Sequence, residues 1–134
     1  MRTFKIINNI CTYIITLVMH HFFSSFYFGF STDGVSHYVS SGTGWTYNAS
    51  ASSKTYSNGW HHVVWTRRGD TIYAYVDGGL VAQTALSNGF SLGNSSRDVQ
   101  IGTQALGQYI GANIAIVRVY KGRSLSEAEI RQNH

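Results

Sequence analysis

A chain of 134 residues with 43% hydrophobic, 14% aromatic and 12% charged side chains can bury one core, is too short for a second domain, and is too apolar for general disorder. Its net charge of +4 comes from ten basic and six acidic residues, yet no basic run exceeds Arg67-Arg68, so the clustered cations of a nucleic-acid surface are missing. Cys11 is the only cysteine and proline is absent; the first excludes an internal disulfide, the second removes a common means of blunting sheet edges.

Residues 1–25 form an apolar N-terminal segment that admits more than one reading. Arg2 and Lys5 followed by the apolar run Ile10 to Met19 imitate the first two regions of a secretory leader, but His20 and His21 follow the run and no small-residue cleavage site lies near. The run is also too short to span a bilayer. The same residues are rich in β-branched side chains, Ile10, Thr12, Ile14, Ile15, Thr16 and Val18, which favour a strand. Strand, signal segment and poorly folded leader all remain open from sequence.

A single domain is expected over 26–134. Phe26, Phe28 and Phe30 alternate on one strand face, and Ser31-Thr32-Asp33-Gly34 turns the chain into Val35 to Val39, predicting a hairpin. The Ser/Thr/Gly-rich stretch Ser40 to Ser53, with Trp45 and Tyr47 embedded, predicts one short strand between loops. From Trp60 the sequence WHHVVWTRRGDTIYAYVDGGLV spells a meander. His61, Val63 and Trp65 share one face and Trp60, His62 and Val64 the other, so both faces carry large groups and the strand belongs inside a sandwich. Gly69 and then Asp77-Gly78 supply the turns, the latter being the pair a type I′ hairpin favours.

After the polar loop Ser87 to Asp98, strands are expected at Val99 to Gly102 and Ile110 to Tyr120. The chain should close with one short helix. Ser126 at the N-cap with Glu129 three residues on makes a capping box, and Leu125 is placed to staple onto Ile130. A helix this short persists only when docked, so Ile130 should pack on the sheet.

Trp60-His61-His62-Val63-Val64 followed by Tyr75-Val76-Asp77-Gly78, with Gln100-Ile101-Gly102, Gly111 to Tyr120 and Arg123 to Ile130 in order behind them, resembles the laminin-G-like branch of the concanavalin A-like lectin/glucanase domains. The resemblance runs from about Phe26 to the end. It implies an all-β, two-sheet antiparallel jelly-roll sandwich with a short C-terminal helix, in which Trp60, Val64, Tyr75, Ile101, Ile114 and Val119 are buried. The family's usual opening strand is not recognisable in the sequence. The wording of Asn113 to Tyr120 is most similar to copies in tailed-phage structural proteins. This implies a non-enzymatic structural or receptor-facing module of a virion, in a tail fibre, tail tip or capsid decoration, with virion proteins or copies of itself as partners. The alternative is a carbohydrate-binding adhesion module of a cell-surface or secreted protein, with a glycan as partner.

Candidate chemistry is sparse. Glycoside hydrolysis needs two carboxylates across the scissile bond, but Asp33, Asp70 and Asp77 fall in turns, Asp98 beside a strand start, and Glu127 and Glu129 in the helix cap, so no enzyme activity is expected. Adjacent strand residues point to opposite faces, so His61 and His62 cannot chelate one metal together. Laminin-G-like modules often hold calcium at the sandwich rim, but Ala115 and Ile116 stand where the family carries an acidic pair, so no cofactor is expected, with calcium as the lesser alternative. For sugar binding, an aromatic face with amides nearby points to Trp45, Tyr47, Asn48, Tyr56, Asn88 and Asn94. Arg68-Gly69-Asp70 spells an adhesive tripeptide that the hairpin turn already explains. Asn48-Ala49-Ser50 and Asn94-Ser95-Ser96 are glycosylation acceptors only in a eukaryotic secretory route.

Overall fold

The computed structural model describes residues 2–5, 11–19, 26–31, 34–39, 47–51, 55–57, 59–88, 90 and 112–134. Among them are the strands β1 (Arg2–Lys5), β2 (Cys11–Met19), β3 (Phe26–Ser31), β4 (Gly34–Val39), β5 (Tyr47–Ala51), β6 (Trp60–Arg68), β7 (Thr71–Val76), β8 (Gly79–Ala85) and β9 (Ala112–Lys121), and the helix α1 (Glu127–Gln132). The strands form a sheet of order β1-β3-β4-β5 and a second of order β8-β7-β6-β2-β9. The sheets meet where β4 and β5 approach β7 and β8.

The local expectations hold where turn chemistry dictates them. β3 and β4 pair antiparallel with Ser31 opposite Gly34, and β5 joins them antiparallel. In the meander β6–β7–β8, Arg68 lies opposite Thr71 across a turn in which Gly69 has φ +56°, and Val76 lies opposite Gly79 across Asp77 (φ +52°) and Gly78 (φ +77°). Two successive positive φ values are the type I′ requirement, which aspartate and glycine meet at low steric cost. The strands expected around Val99 to Gly102, with Ile101, lie outside the described residues.

The expected purely antiparallel pairing does not hold. β1 runs parallel to β3, and β2 inserts between β6 and β9 parallel to both. The apolar run that read as strand or leader is thus a strand within the larger sheet, flanked on each side by a ladder. It supplies an opening strand that the sequence alone did not reveal. The physical reason is that a parallel neighbour needs only a long crossover, and the forty residues between β2 and β6 leave ample room for one.

β6 is buried at six successive positions, His61 to Thr66, because both sides of its sheet are covered. Val63, Trp65, Ile72, Ala74 and Val76 are buried on the side that meets the other sheet, whose Val35 and Val39 are also buried. On the opposite side Val64 and Tyr75, cross-strand partners, form a cluster with Leu125 and Ile130, and Tyr73 and Tyr120 pack against it. Helix α1 therefore roofs the outer face of β6 and β7. Ile130 is fully buried, and removing such a side chain from water contributes about 1.5–3 kcal/mol.

The capping box forms as expected. Ser126 Oγ accepts from the Glu129 N–H at 3.2 Å and the Glu129 carboxylate accepts from the Ser126 N–H at 2.7 Å. Arg123 adds an ion pair to Glu129 at 2.7 Å. At the same end of the helix Arg68 lies over the Tyr73 ring, 4.2 Å from its centroid, and donates to the Tyr75 hydroxyl, which in turn donates to Glu127 at 3.3 Å.

Three of the expected burials are corrected. Val64 and Tyr75 are buried, but Trp60 is 58% exposed, Val119 is 43% exposed and Ile114 is only half-buried. Trp60 heads β6 beyond the reach of α1. Val119 and Ile114 stand on β9, the last strand of the sheet order, while the facing sheet lies over β7 and β8 at the other end.

Candidate functional site

Of the residues expected to bind sugar, Trp45 and Asn94 lie outside the described residues. Tyr47 and Asn48 occupy β5, opposite Val39 and Tyr38. Asn88 is exposed in the turn after β8, and Tyr56 is half-buried just ahead of β6. With two of the six outside the described residues, their arrangement as a group is not described. The structure builds two other features around β6.

The first is a polar knot at the head of the strand, centred on Asp77. His61 Nδ1 meets Asp77 Oδ2 at 2.8 Å while His61 Nε2 meets the Ser57 carbonyl at 2.8 Å. Both partners are acceptors, so the pair of bonds is complete only when both ring nitrogens carry hydrogen. The other oxygen, Asp77 Oδ1, accepts from the His62 N–H at 2.9 Å and lies 3.5 Å from His134 Nε2. The Asp77 N–H donates back to the His62 carbonyl at 2.8 Å. The left-handed turn that the Asp-Gly pair permits thus aims one carboxylate at two successive residues of β6, bridging the side chain of one and the backbone of the next.

Rings close the knot. Tyr56 stands edge-on to His61 at 5.9 Å and His134 edge-on to His62 at 6.1 Å. Burial, with the neighbouring His134, holds the His62 imidazole below its usual value, and burial with the nearby Asp77 charge raises the Tyr56 phenol. The adjacent histidines do fall on opposite sides of the strand and do not act as a pair. Among the described residues no group of three or more histidine, cysteine or carboxylate side chains is placed to hold a metal. Calcium needs six to eight oxygen ligands. The two oxygens of Asp77 are taken by His61 and His62, and Ala115 and Ile116 on β9 offer no side-chain oxygen.

The second feature is the outer face of the larger sheet beside α1. Trp60 shares this face with His62 and Val64 by strand alternation. Ladder pairing sets Thr12 beside Trp60 and Asn113 beside Thr12, then Ile14 beside His62 and Ile116 beside Ile14, then Thr16 beside Val64 and Arg118 beside Thr16. Asn113, Ile116 and Arg118 are exposed. The result is an exposed indole at the head of β6, with Asn113, Ile116 and Arg118 exposed two strands away on β9. Sequence reasoning assigned Trp60 to the core, because alternation tells which residues share a face and not how far a roof extends over it.

The adhesive tripeptide is absorbed by the fold. Arg68 is engaged with Tyr73, Tyr75 and Glu127, and Asp70 pairs with Arg67 at 3.2 Å while its carbonyl accepts from Leu86. The remaining described carboxylates are likewise engaged: Asp77 in the knot, Glu127 with Arg131 at 3.4 Å, and Glu129 in the cap.

A mostly stranded chain whose two sheets meet face to face, with a capped helix docked on a meander, has the make-up of a β-sandwich. The family described as the concanavalin A-like lectin/glucanases superfamily, in its laminin-G-like form, matches residues 14–131, and the chain belongs to it. The match takes in most of β2, beginning ahead of the region where the resemblance was legible. No curated protein and no solved structure matches the chain.

Proposed function

We propose that this protein is a non-enzymatic carbohydrate-binding module of the adhesion type, built on the jelly-roll-type sandwich of its superfamily. The observation that carries the reading is the family membership across 14–131 taken with the state of the described carboxylates. Asp70, Asp77, Glu127 and Glu129 are each tied into a turn, the knot, the helix clamp or the cap, which leaves none of them set for acid and nucleophile work. On this reading a sandwich whose described carboxylates are all engaged in holding the fold serves for binding, and no cofactor is needed for it. The partner on this reading is a glycan on an extracellular or virion-facing surface. Service within a phage virion, with virion proteins or further copies as neighbours, rests on the wording of Asn113 to Tyr120 alone, whereas the family match supports the binding module.

The test is electrophoresis of the purified chain through native gels that contain single polysaccharides, paired with a reducing-end assay on the same mixtures. Retarded migration in at least one polysaccharide without release of reducing ends is expected. Unretarded migration in every gel of a broad panel, or reducing ends that vanish on substitution of one carboxylate, refutes the proposal.

A further inference from the structure

We infer that the sugar seat is the outer sheet face at Trp60, beside the C-terminal end of α1, and that it takes a short oligosaccharide with one ring stacked on the indole. This deepens the carbohydrate-binding reading and rests on it. Trp60 is 58% exposed at the head of a strand whose next six residues are buried, so its ring is held by a rigid backbone and presented to solvent. A pyranose ring offers a face of C–H groups with partial positive charge, which suits the negative face of an indole. Hydroxyl groups at the ring edge need hydrogen-bonding partners in reach. Asn113 stands in the same cross-strand row, and Arg118 and His134 are exposed on the same side. Gly59, which precedes Trp60, has no heavy atom within 4 Å of where a Cβ would sit, so the backbone at the indole is open to a ligand.

The size of the face selects the occupant. His62 and Val64 lie buried on β6, which leaves Trp60 at its head and Asn113, Ile116 and Arg118 exposed on β9, two strand spacings or about 10 Å away. A specific protein partner requires about 800 Å² from each side, several times that patch, and α1 bounds it along β6. Two or three sugar units laid across the strands cover it. The knot beneath sets the geometry: His61 ties the Ser57 carbonyl, and so the segment entering Trp60, to the turn at Asp77.

The experiment is calorimetric titration of the full chain with cellotetraose, xylotetraose and tetragalacturonate, for the parent, Trp60→Ala, Trp60→Phe and Trp45→Ala. Binding of at least one tetrasaccharide by the parent is expected, weakened about tenfold or more by Trp60→Ala and by no more than about threefold by Trp60→Phe, with thermal midpoints unchanged. Should Trp60→Ala fold poorly, protection of the exposed indole from acrylamide quenching by the bound sugar, present in the parent and absent in Trp60→Phe, reads the same contact. Binding that survives Trp60→Ala but is lost in Trp45→Ala overturns the seat while leaving the carbohydrate-binding reading intact. Failure of all three sugars and of the polysaccharide gels overturns both. A parent dimer that becomes monomeric in Trp60→Ala shows a second copy on this face and likewise overturns the seat.

Discussion

Replacing Asp77 with alanine tests the knot that joins β6 to the β7–β8 turn. The aspartate accepts from the His61 ring and from the His62 N–H and occupies φ +52°. Alanine leaves the buried His62 N–H without an acceptor, a cost of about 1–3 kcal/mol, and places a residue with no αL preference in that conformation, a further cost of about 1 kcal/mol. The Asp77 side chain is 35% exposed, so water replaces part of what is lost, and the expected destabilisation lies in the lower half of the summed range, about 2–3 kcal/mol. Asparagine should be far milder, about 1 kcal/mol. Its carbonyl oxygen still accepts from His62, it tolerates αL, and its amide can donate to His61 Nδ1 while Nε2–H keeps the Ser57 carbonyl. Urea unfolding followed by the fluorescence of the buried Trp65 measures all three proteins. The reasoning fails if alanine and asparagine destabilise equally, or if alanine lies within about 0.5 kcal/mol of the parent, the range of an ordinary surface change.

Ile130→Ala should cost about 2–5 kcal/mol, because the fully buried side chain touches the cluster of Val64, Tyr75 and Leu125; hydrogen exchange should show α1 released from the sheet before the meander opens. Ser126→Ala should cost about 1 kcal/mol by removing the N-cap acceptor, measured by thermal unfolding. Glu129, drawn down to about 2 by Arg123 first and then by the Ser126 backbone and hydroxyl, binds fewer protons folded than unfolded; the stability it contributes is present above the ordinary carboxylate range and is lost as pH falls toward 2, so Glu129→Gln should flatten the acid limb of a stability–pH curve. His62, held below its usual value chiefly by burial, also binds fewer protons folded, so its contribution is full above about pH 6.5 and declines as pH falls below that; His62→Phe should remove this decline in urea midpoints between pH 7 and 5.

The turns and the cap were legible because each rests on a few adjacent residues. Gly69, Asp77-Gly78 and the Ser126–Glu129 box carry their geometry in their own covalent structure, and the structure places all of them as the sequence implied. The hairpin of β3 and β4 was legible for the same reason. The parallel pairing of β2 was not, since Cys11–Met19 presents a β-branched run that names no partner or direction, and its partners lie far along the chain. Trp60 shows a second limit. Its alternation with His61 was read correctly, but exposure is set by where a six-residue helix happens to end, which no local pattern encodes. The contact of Tyr56 edge-on to His61 at the base of the knot was not legible either, since it depends on how the segment before β6 meets the turn at Asp77.

The insertion of β2 between β6 and β9 dictates a timetable for folding. The meander β6–β7–β8 closes through two tight hairpins and can form as soon as those residues exist, whereas Thr12 must find Trp60 and Cys11 must find Ala112. Chain closure over such separations is entropically costly and delays the contacts it serves. During synthesis β2 can pair with β6 once the meander exists, but its other edge stays open until β9 is made. In that interval the β-branched run is a substrate for chaperones and a hazard for aggregation. Completion of the larger sheet is thus tied to the synthesis of β9.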